Sequence, residues 1–230
     1  MKTELYYIHG FRSHPDQSNP KTEFLKLFCE DCDYDFVAPN MEWETRGCDI
    51  LEQLVDSFRF IDRQDSILRQ NRRRIFVGTS LGGAAALRLF RDFSHNEARC
   101  FIINPVLDYN ESSFYELEQV FHISPEVPKL MGLFNFYTGQ DSAMTQQHLT
   151  DIRQMIVSNQ LALDKNEPTG RLSNLRMFIG MNDDILNPEI AEWYARRYDI
   201  LTSFSQGTHS FSDEDSMTIL KYHLNNLDSQ

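Results

Sequence analysis

Three short polar segments each follow an apolar run and carry a serine, an aspartate and a histidine in that order. Ser80 lies in Gly78-Thr79-Ser80-Leu81-Gly82, Asp183 in an acidic turn, and His209 in Gly207-Thr208-His209-Ser210-Phe211. A serine hydroxyl becomes a nucleophile when a base takes its proton and an acid orients that base. These residue types therefore predict acyl-transfer chemistry, provided that the fold brings them together.

The segment around Ser80 fits the pattern Gly-x-Ser-x-Gly between an apolar strand-like run and a small-residue helix. A serine on such a sharp turn takes a strained backbone conformation, and side chains at Gly78 and Gly82 would collide there. An ordinary tight turn is the alternative interpretation. A phosphate-binding loop is excluded because Ala84 and Ala85 stand where that loop has Lys and Ser or Thr.

Four aspartates are candidates for the acid. We favour Asp183, which lies nearest the end of the apolar run 175–179, and we keep its neighbour Asp184 as the alternative acid. Asp108 and Asp141 are outside candidates. A solvated turn, or an N-cap ahead of Pro188, would explain the same acidic turn without any chemistry.

The segment after the first apolar run could complete such a site. Gly10 permits a close backbone approach, and His9 is expected to brace the loop instead of taking part in chemistry. The backbone N–H groups of Phe11 and of Leu81, which follows the serine at a helix start, are the candidate oxyanion donors.

Alternating strand and helix patterns position these segments. Apolar runs rich in strand formers alternate with runs of helical period, which predicts a parallel sheet covered by helices on both faces. The carboxyl ends of parallel strands lie at one edge of the sheet, so the three polar segments are expected to converge there. The predicted strands cover 5–8, 34–39, 74–78, 100–103, 175–179 and 200–204. The predicted helices cover 21–28, 48–68, 81–93, 188–197 and a segment after 212.

The 230 residues fit a single domain. Residues 106–172 interrupt the alternation and form a candidate helical insertion or cap over the site. Helical patterns cover 111–121 and 145–159, and residues 133–137 read as a short strand or an aromatic turn. In front of the last helix, Ser212 and Asp215 resemble a capping box.

Charge and composition exclude several functions. With 34 acidic and 22 basic residues the net charge is −12, which disfavours nucleic acid and anionic membranes as partners. No apolar stretch approaches the roughly 20 residues that cross a bilayer, and the N-terminal apolar run is too short for a signal peptide. Four cysteines suit a reducing cytoplasm. Cys29 and Cys32 have zinc-ligand spacing but lack a second pair, so we expect no metal site.

With these residues in place, the chain resembles the α/β-hydrolase superfamily and, within it, the small YqiA/YcfP-like esterase branch. The resemblance implies a three-layer α/β-hydrolase fold and cofactor-free hydrolysis of a small-molecule carboxylic ester or thioester. In this chain Ser80 would be the nucleophile, His209 the base and then the acid, and Asp183 the residue that orients the imidazole. The resemblance rests on residues 7–15, 77–83, 103–105, 182–187 and 208–211.

Two other functions remain open at this point. An acyltransferase would use the same triad with a different second nucleophile. A binding or scaffold protein would keep the fold and the pocket without turnover, because fold membership does not guarantee activity.

Overall fold

The computed structural model describes residues 2–11, 13–15, 20–43, 45–68, 70–93, 98–112, 114–115, 130–135, 140–164 and 172–227. For residues 130–135 and 140–144 it describes the backbone only. Strands and helices alternate through most of this length. The strands are β1 Lys2–Ile8, β2 Asp35–Val37, β3 Arg72–Thr79, β4 Arg99–Ile103, β5 Leu130–Asn135, β6 Gln140–Thr145, β7 Leu175–Gly180 and β8 Leu201–Ser205. The helices are α1 Pro20–Cys32, α2 Gly47–Leu68, α3 Leu81–Phe93, α4 Gln146–Asp164, α5 Pro188–Arg197 and α6 Glu214–Asn225, with a 3-10 turn at Leu172–Asn174.

Six strands form one sheet in the order β2-β1-β3-β4-β7-β8, and every neighbouring pair is parallel. The chain first moves from β1 to β2 and then returns to the other side of β1, so the strand order reverses between β1 and β3. In open α/β sheets such a switch point opens a crevice at the carboxyl ends of the strands. Ile8 pairs with Gly78 at this point, which brings the loop after β1 beside the turn that holds Ser80.

The sheet separates two apolar layers, as expected for parallel strands buried on both faces. Successive side chains of a strand point to opposite faces. Tyr6 and Phe76 therefore join the layer that contains α2, α3 and α4, whereas Tyr7 and Val77 join the layer that contains α1 and α6. The prediction of an α/β fold with helices on both faces is confirmed.

The region 106–172 contains strands as well as a helix. β5 and β6 form a separate antiparallel pair, which includes most of the segment predicted as a strand or an aromatic turn. The helix predicted over 145–159 is α4, and its residues Ile152 and Ile156 are buried in the layer shared with α2 and α3. Most of the helix predicted over 111–121 lies outside the described residues. The described helix of this region is thus part of the core.

The capping box predicted at Ser212 is wrong. Asp213 is the N-cap of α6, and its carboxylate accepts the N–H of Ser216 at 3.0 Å. The Ser212 hydroxyl instead lies 2.8 Å from the Ser210 hydroxyl. Two neighbouring residues can both serve as caps, and here the side chain that reaches the third helical N–H is the carboxylate of Asp213.

Candidate active site

Ser80 occupies a rigid turn between β3 and α3. Its φ angle is 57°, in the left-handed region that non-glycine residues rarely adopt. Its N–H donates to the Ile103 carbonyl at 2.9 Å, and its own carbonyl accepts from Gly83 at 2.9 Å and from Val106 at 3.2 Å. The residue is 9% exposed. The hydroxyl is therefore presented by a backbone that is fixed on both sides.

The two glycines of the turn have no room for a side chain. A Cβ at Gly78 would lie 2.1 Å from the Gly82 carbonyl oxygen, and one at Gly82 would lie 2.1 Å from the Ile8 carbonyl oxygen. A Cβ at Gly10 would lie 3.1 Å from the Cβ of Ser80. The loop after β1 therefore passes directly beside the serine, as its sequence position predicts.

His9 holds that loop in place. Its Nδ1 lies 2.9 Å from the Gly10 carbonyl, and its Nε2 accepts the N–H of Met41 at 3.0 Å. The indole of Trp43 donates to the His9 carbonyl at 2.8 Å. A backbone N–H can only donate, so Nε2 is unprotonated and Nδ1 carries the proton. Burial lowers the pKa of His9 to about 4, which keeps the ring neutral.

The two predicted oxyanion donors belong to segments next to Ser80. Leu81 is the first residue of α3, so its N–H has no acceptor within the helix. Phe11 follows Gly10, and its ring packs edge-on against Phe114 with 5.2 Å between the ring centroids. Both residues are thus at the start of segments that border the serine.

The imidazole of His209 contacts Asp183. The Nδ1 atom lies 2.8 Å from Oδ2 and 3.0 Å from Oδ1 of the carboxylate. The side chain of Asp183 is 3% exposed and that of His209 is 16% exposed. Because the ionised carboxylate can only accept, Nδ1 carries the proton and the lone pair is on Nε2.

Asp183 is itself oriented by the backbone. Its Oδ1 accepts the N–H groups of Ile185 and Leu186, each at 2.8 Å. Asp184 is exposed. Asp108 accepts the N–H of Asn110 at 3.0 Å and lies 3.5 Å from the hydroxyl of Tyr194. The side chain of Asp141, on β6, is outside the part that the structure describes.

Three residues hold the loop of His209. The Asn104 amide donates to the carbonyls of Thr208 and His209, each at 3.1 Å. The Lys21 ammonium donates to the carbonyl of Ser210. Phe211 is fully buried and packs edge-on against Phe178 at 6.0 Å.

The serine and the histidine are both tied to the end of β4. Ile103 accepts the N–H of Ser80, and the next residue, Asn104, holds His209. Among the described residues, no hydrogen bond joins the Ser80 hydroxyl to the imidazole of His209. The structure therefore pairs His209 with Asp183 directly and brings Ser80 to the same edge through β4.

A family model described as "Uncharacterised protein family (UPF0227)" matches residues 4–221. The chain belongs to this family. No curated protein matches it significantly.

Solved structures share the fold of this UPF0227 chain. It is similar to a structure titled for LipS and LipT, two metagenome-derived lipolytic enzymes, with 16% identity, a TM-score of 0.64, and coverage of 100% of this chain and 94% of the other. It is similar to alpha/beta hydrolase domain-containing protein 10 from mouse, with 17% identity, a TM-score of 0.64, and coverage of 98% and 89%. It is also similar to a soluble variant of monoglyceride lipase from Saccharomyces cerevisiae, with 17% identity, a TM-score of 0.64, and coverage of 100% and 87%. These likenesses show an α/β-hydrolase fold, so the predicted fold is confirmed.

Some features of the UPF0227 chain lie outside the predicted site. Among the described residues, no group of three or more His, Cys, Asp or Glu side chains is placed to hold a metal ion. Cys29 is buried and Cys32 is exposed, and neither forms a disulfide bond. Within the described part of the chain, no helix combines the length and the apolar character needed to cross a membrane.

The sequence did not identify two residues that hold the His209 loop. Asn104 lies in Ile103-Asn104-Pro105, one of the segments on which the resemblance rests, but nothing local assigns it a partner 104 residues away. Lys21 is an ordinary lysine at the start of a helix in the sequence, yet it is buried against a loop 189 residues later. A polar residue directly after an apolar strand is the one local signal that could have drawn attention to Asn104.

Proposed function

We propose that this protein is a serine hydrolase that cleaves carboxylic esters or thioesters through an acyl-enzyme intermediate. The observation that carries the proposal is the Asp183–His209 pair at the same sheet edge as a serine with φ 57°. A serine in a strained turn and a histidine oriented by a buried carboxylate are the two parts that nucleophilic catalysis requires.

The mechanism uses only protein groups and water. Ser80 Oγ attacks the carbonyl carbon while His209 Nε2 takes its proton, and the carbonyl oxygen becomes an oxyanion beside the N–H groups of Phe11 and Leu81. Each of these donors is worth about 3 kcal/mol in the transition state. His209 then gives its proton to the leaving alcohol or thiol. Water then attacks the acyl-enzyme carbonyl carbon while His209 takes its proton. His209 gives that proton to Ser80 Oγ as the bond to the acyl group breaks, which releases the acid and restores the serine.

Asp183 has an electrostatic role in this scheme. Its carboxylate fixes the tautomer with Nδ1–H, which leaves Nε2 free to accept the serine proton, and it stabilises the imidazolium that forms. The titles of similar structures name lipolytic enzymes and a monoglyceride lipase. Those titles agree with an ester substrate for this chain.

A binding protein without turnover is the second candidate. It is favoured by one observation, the lack of a hydrogen bond between Ser80 and His209 among the described residues. We prefer the hydrolase because catalytic hydrogen bonds are often long in unliganded enzymes and shorten when substrate binds.

Labelling with a fluorophosphonate, together with turnover of nitrophenyl esters of increasing acyl length, tests the proposal. We expect wild type and the control Ser57→Ala, an exposed serine on α2, to label and to turn over ester. Ser80→Ala should do neither. Equal behaviour of wild type and Ser80→Ala would reject the hydrolase and leave the binding protein. Faster release of product on addition of an alcohol or thiol acceptor would instead identify an acyltransferase.

A further inference from the structure

Asn104 connects three segments of the candidate site through one buried side chain. It follows β4 directly, is 3% exposed and has a φ angle of 41°. Its Nδ2 donates to the carbonyls of Thr208 and His209, and its Oδ1 accepts the N–H of Gly180 at 2.7 Å. Both amide hydrogens and the amide oxygen therefore form hydrogen bonds to these segments.

These bonds fix the acid and the base relative to each other. Gly180 is the last residue of β7, and its carbonyl accepts the N–H of Asp183 at 3.1 Å. The same asparagine that holds Gly180 also holds the backbone of His209. The residue before it, Ile103, holds the N–H of Ser80. Two adjacent residues at the end of β4 therefore hold, through hydrogen bonds, the backbone segments that carry all three groups of the proposed triad.

The chemistry of the side chain matches this task. The position needs two donors and one acceptor in one short planar group, which an asparagine amide provides and an aspartate does not. Asparagine also tolerates a positive φ better than most residues. Loss of the amide would take these partners from the His209 carbonyl and from the buried Gly180 N–H, while the Thr208 carbonyl would keep only the N–H of Phe211 at 3.0 Å. Polar groups left without partners in a buried place are costly.

We propose that Asn104 is a positioning residue that holds the His209 imidazole against Asp183 and toward Ser80. The proposal rests on the hydrolase function proposed above for its effect on rate, but its effect on the Asp183–His209 contact is independent of that function. Asn104 does not contact the reacting atoms. It acts through the backbone of Thr208 and His209.

The test compares Asn104→Ala and Asn104→Asp with Asn159→Ala. Asn159 is a matched control because it is 4% exposed and its amide donates to the Ala84 carbonyl at 2.8 Å, on the opposite layer of the domain. Asn104→Asp keeps the size and the acceptor for Gly180 but removes both donors, so it serves if Asn104→Ala does not fold. The kcat is measured per active site, by titration with fluorophosphonate, so that a lower folded fraction does not count as slower chemistry.

We expect both Asn104 variants to lose about 100-fold in kcat per active site, because a displacement of about 1 Å can cost that much, with KM nearly unchanged. Asn159→Ala should keep its kcat while it loses stability. A second readout is the downfield proton NMR resonance of His209 Nδ1–H in its hydrogen bond to Asp183. It should be lost in the Asn104 variants and retained in Asn159→Ala.

The two readouts separate the proposals. If wild type neither labels nor turns over ester, the hydrolase fails, and the resonance alone decides the role of Asn104. A retained resonance in the Asn104 variants overturns the positioning role in every case. In an active enzyme, a kcat per active site within about threefold of wild type also overturns it.

Discussion

Replacement of Asp183 by asparagine should reverse the tautomer of His209. In the native site Oδ1 of Asp183 accepts two backbone N–H groups, from Ile185 and Leu186, each at 2.8 Å. In Asp183→Asn only the amide oxygen can occupy that position, so the NH₂ group must take the place of Oδ2, 2.8 Å from His209 Nδ1. Nδ1 then has to accept, and the proton moves to Nε2. An Nε2 that already carries a proton cannot take one from Ser80.

The size of the effect follows from this exchange. In a Ser-His-Asp triad with intact geometry, the same substitution lowers kcat about 10⁴-fold. That loss corresponds to about 5 kcal/mol of transition-state stabilisation. The two backbone bonds to Oδ1 survive, so we expect little change in the melting temperature. The assay is the initial rate of nitrophenyl ester hydrolysis, measured on protein whose folding is checked by circular dichroism.

Asp184→Asn is the matched control, because it makes the same change of charge one residue away on an exposed side chain. Exposed substitutions usually change stability by less than about 0.5 kcal/mol, and this one should leave kcat within about twofold. The reasoning is refuted if folded Asp183→Asn retains more than about a tenth of the wild-type kcat. A larger loss in Asp184→Asn would transfer the role of the acid to that residue.

Three further predictions concern stability. Burial lowers the pKa of His9 in the folded protein to about 4, below its usual value of 6.5. Between these two pH values the unfolded chain binds a proton that the folded protein does not, so the free energy of unfolding should fall by up to about 3 kcal/mol as the pH falls through this window. Urea titrations should show a smaller fall for His9→Gln, and parallel curves would contradict the assignment. Burial likewise lowers the pKa of Lys21 from 10.5 to about 8, so the contribution of Lys21 to stability should rise as the pH rises from 8 to 10.5. In urea titrations, the free energy of unfolding of wild type should therefore rise relative to that of Lys21→Met over this range, and a constant difference would contradict the assignment. Gly82→Ala places a Cβ 2.1 Å from the Ile8 carbonyl oxygen and should lower the free energy of unfolding by about 3 kcal/mol. An unchanged melting temperature in calorimetry would contradict this prediction.

The sequence predicted most of the sheet because its signals are local. The bounds of α3 and α5 agree with the prediction residue by residue, since Ser80 ends one strand sharply and Pro188 starts one helix. The parallel pairing of the strands follows from the alternation of strands and helices. The glycines around the serine could also be explained in advance, because their need arises from the turn itself.

The sequence could not predict what depends on distant partners. The roles of Asn104 and Lys21 depend on carbonyls more than 100 residues away, and no periodicity encodes such a contact. The prediction of the N-cap of α6 was wrong for a different reason. Ser212 and Asp213 are both good caps, and the choice between them depends on the bond that Ser212 makes with Ser210 instead.

Strain at the carboxyl ends of the strands explains how this edge is organised. Ser80, Asn104 and Phe211 have φ angles of 57°, 41° and 49°. Such conformations cost about 1 to 3 kcal/mol each and persist only where the surroundings over-determine them. Here the Ile103 carbonyl holds Ser80, the side-chain amide holds Asn104, and full burial holds Phe211.

These constraints all come from the sheet and its flanking loops. The region 106–172 begins immediately after them, and its first residue, Val106, donates to the Ser80 carbonyl at 3.2 Å. The bonds that hold Asp183 and the His209 loop involve residues 21, 104, 180 and 185–186, which lie outside that region. Among the described residues, none from 107–172 takes part in the bonds that set the geometry of Asp183 and His209. This separation explains how a region that breaks the alternation of strands and helices is compatible with an ordinary arrangement of aspartate and histidine.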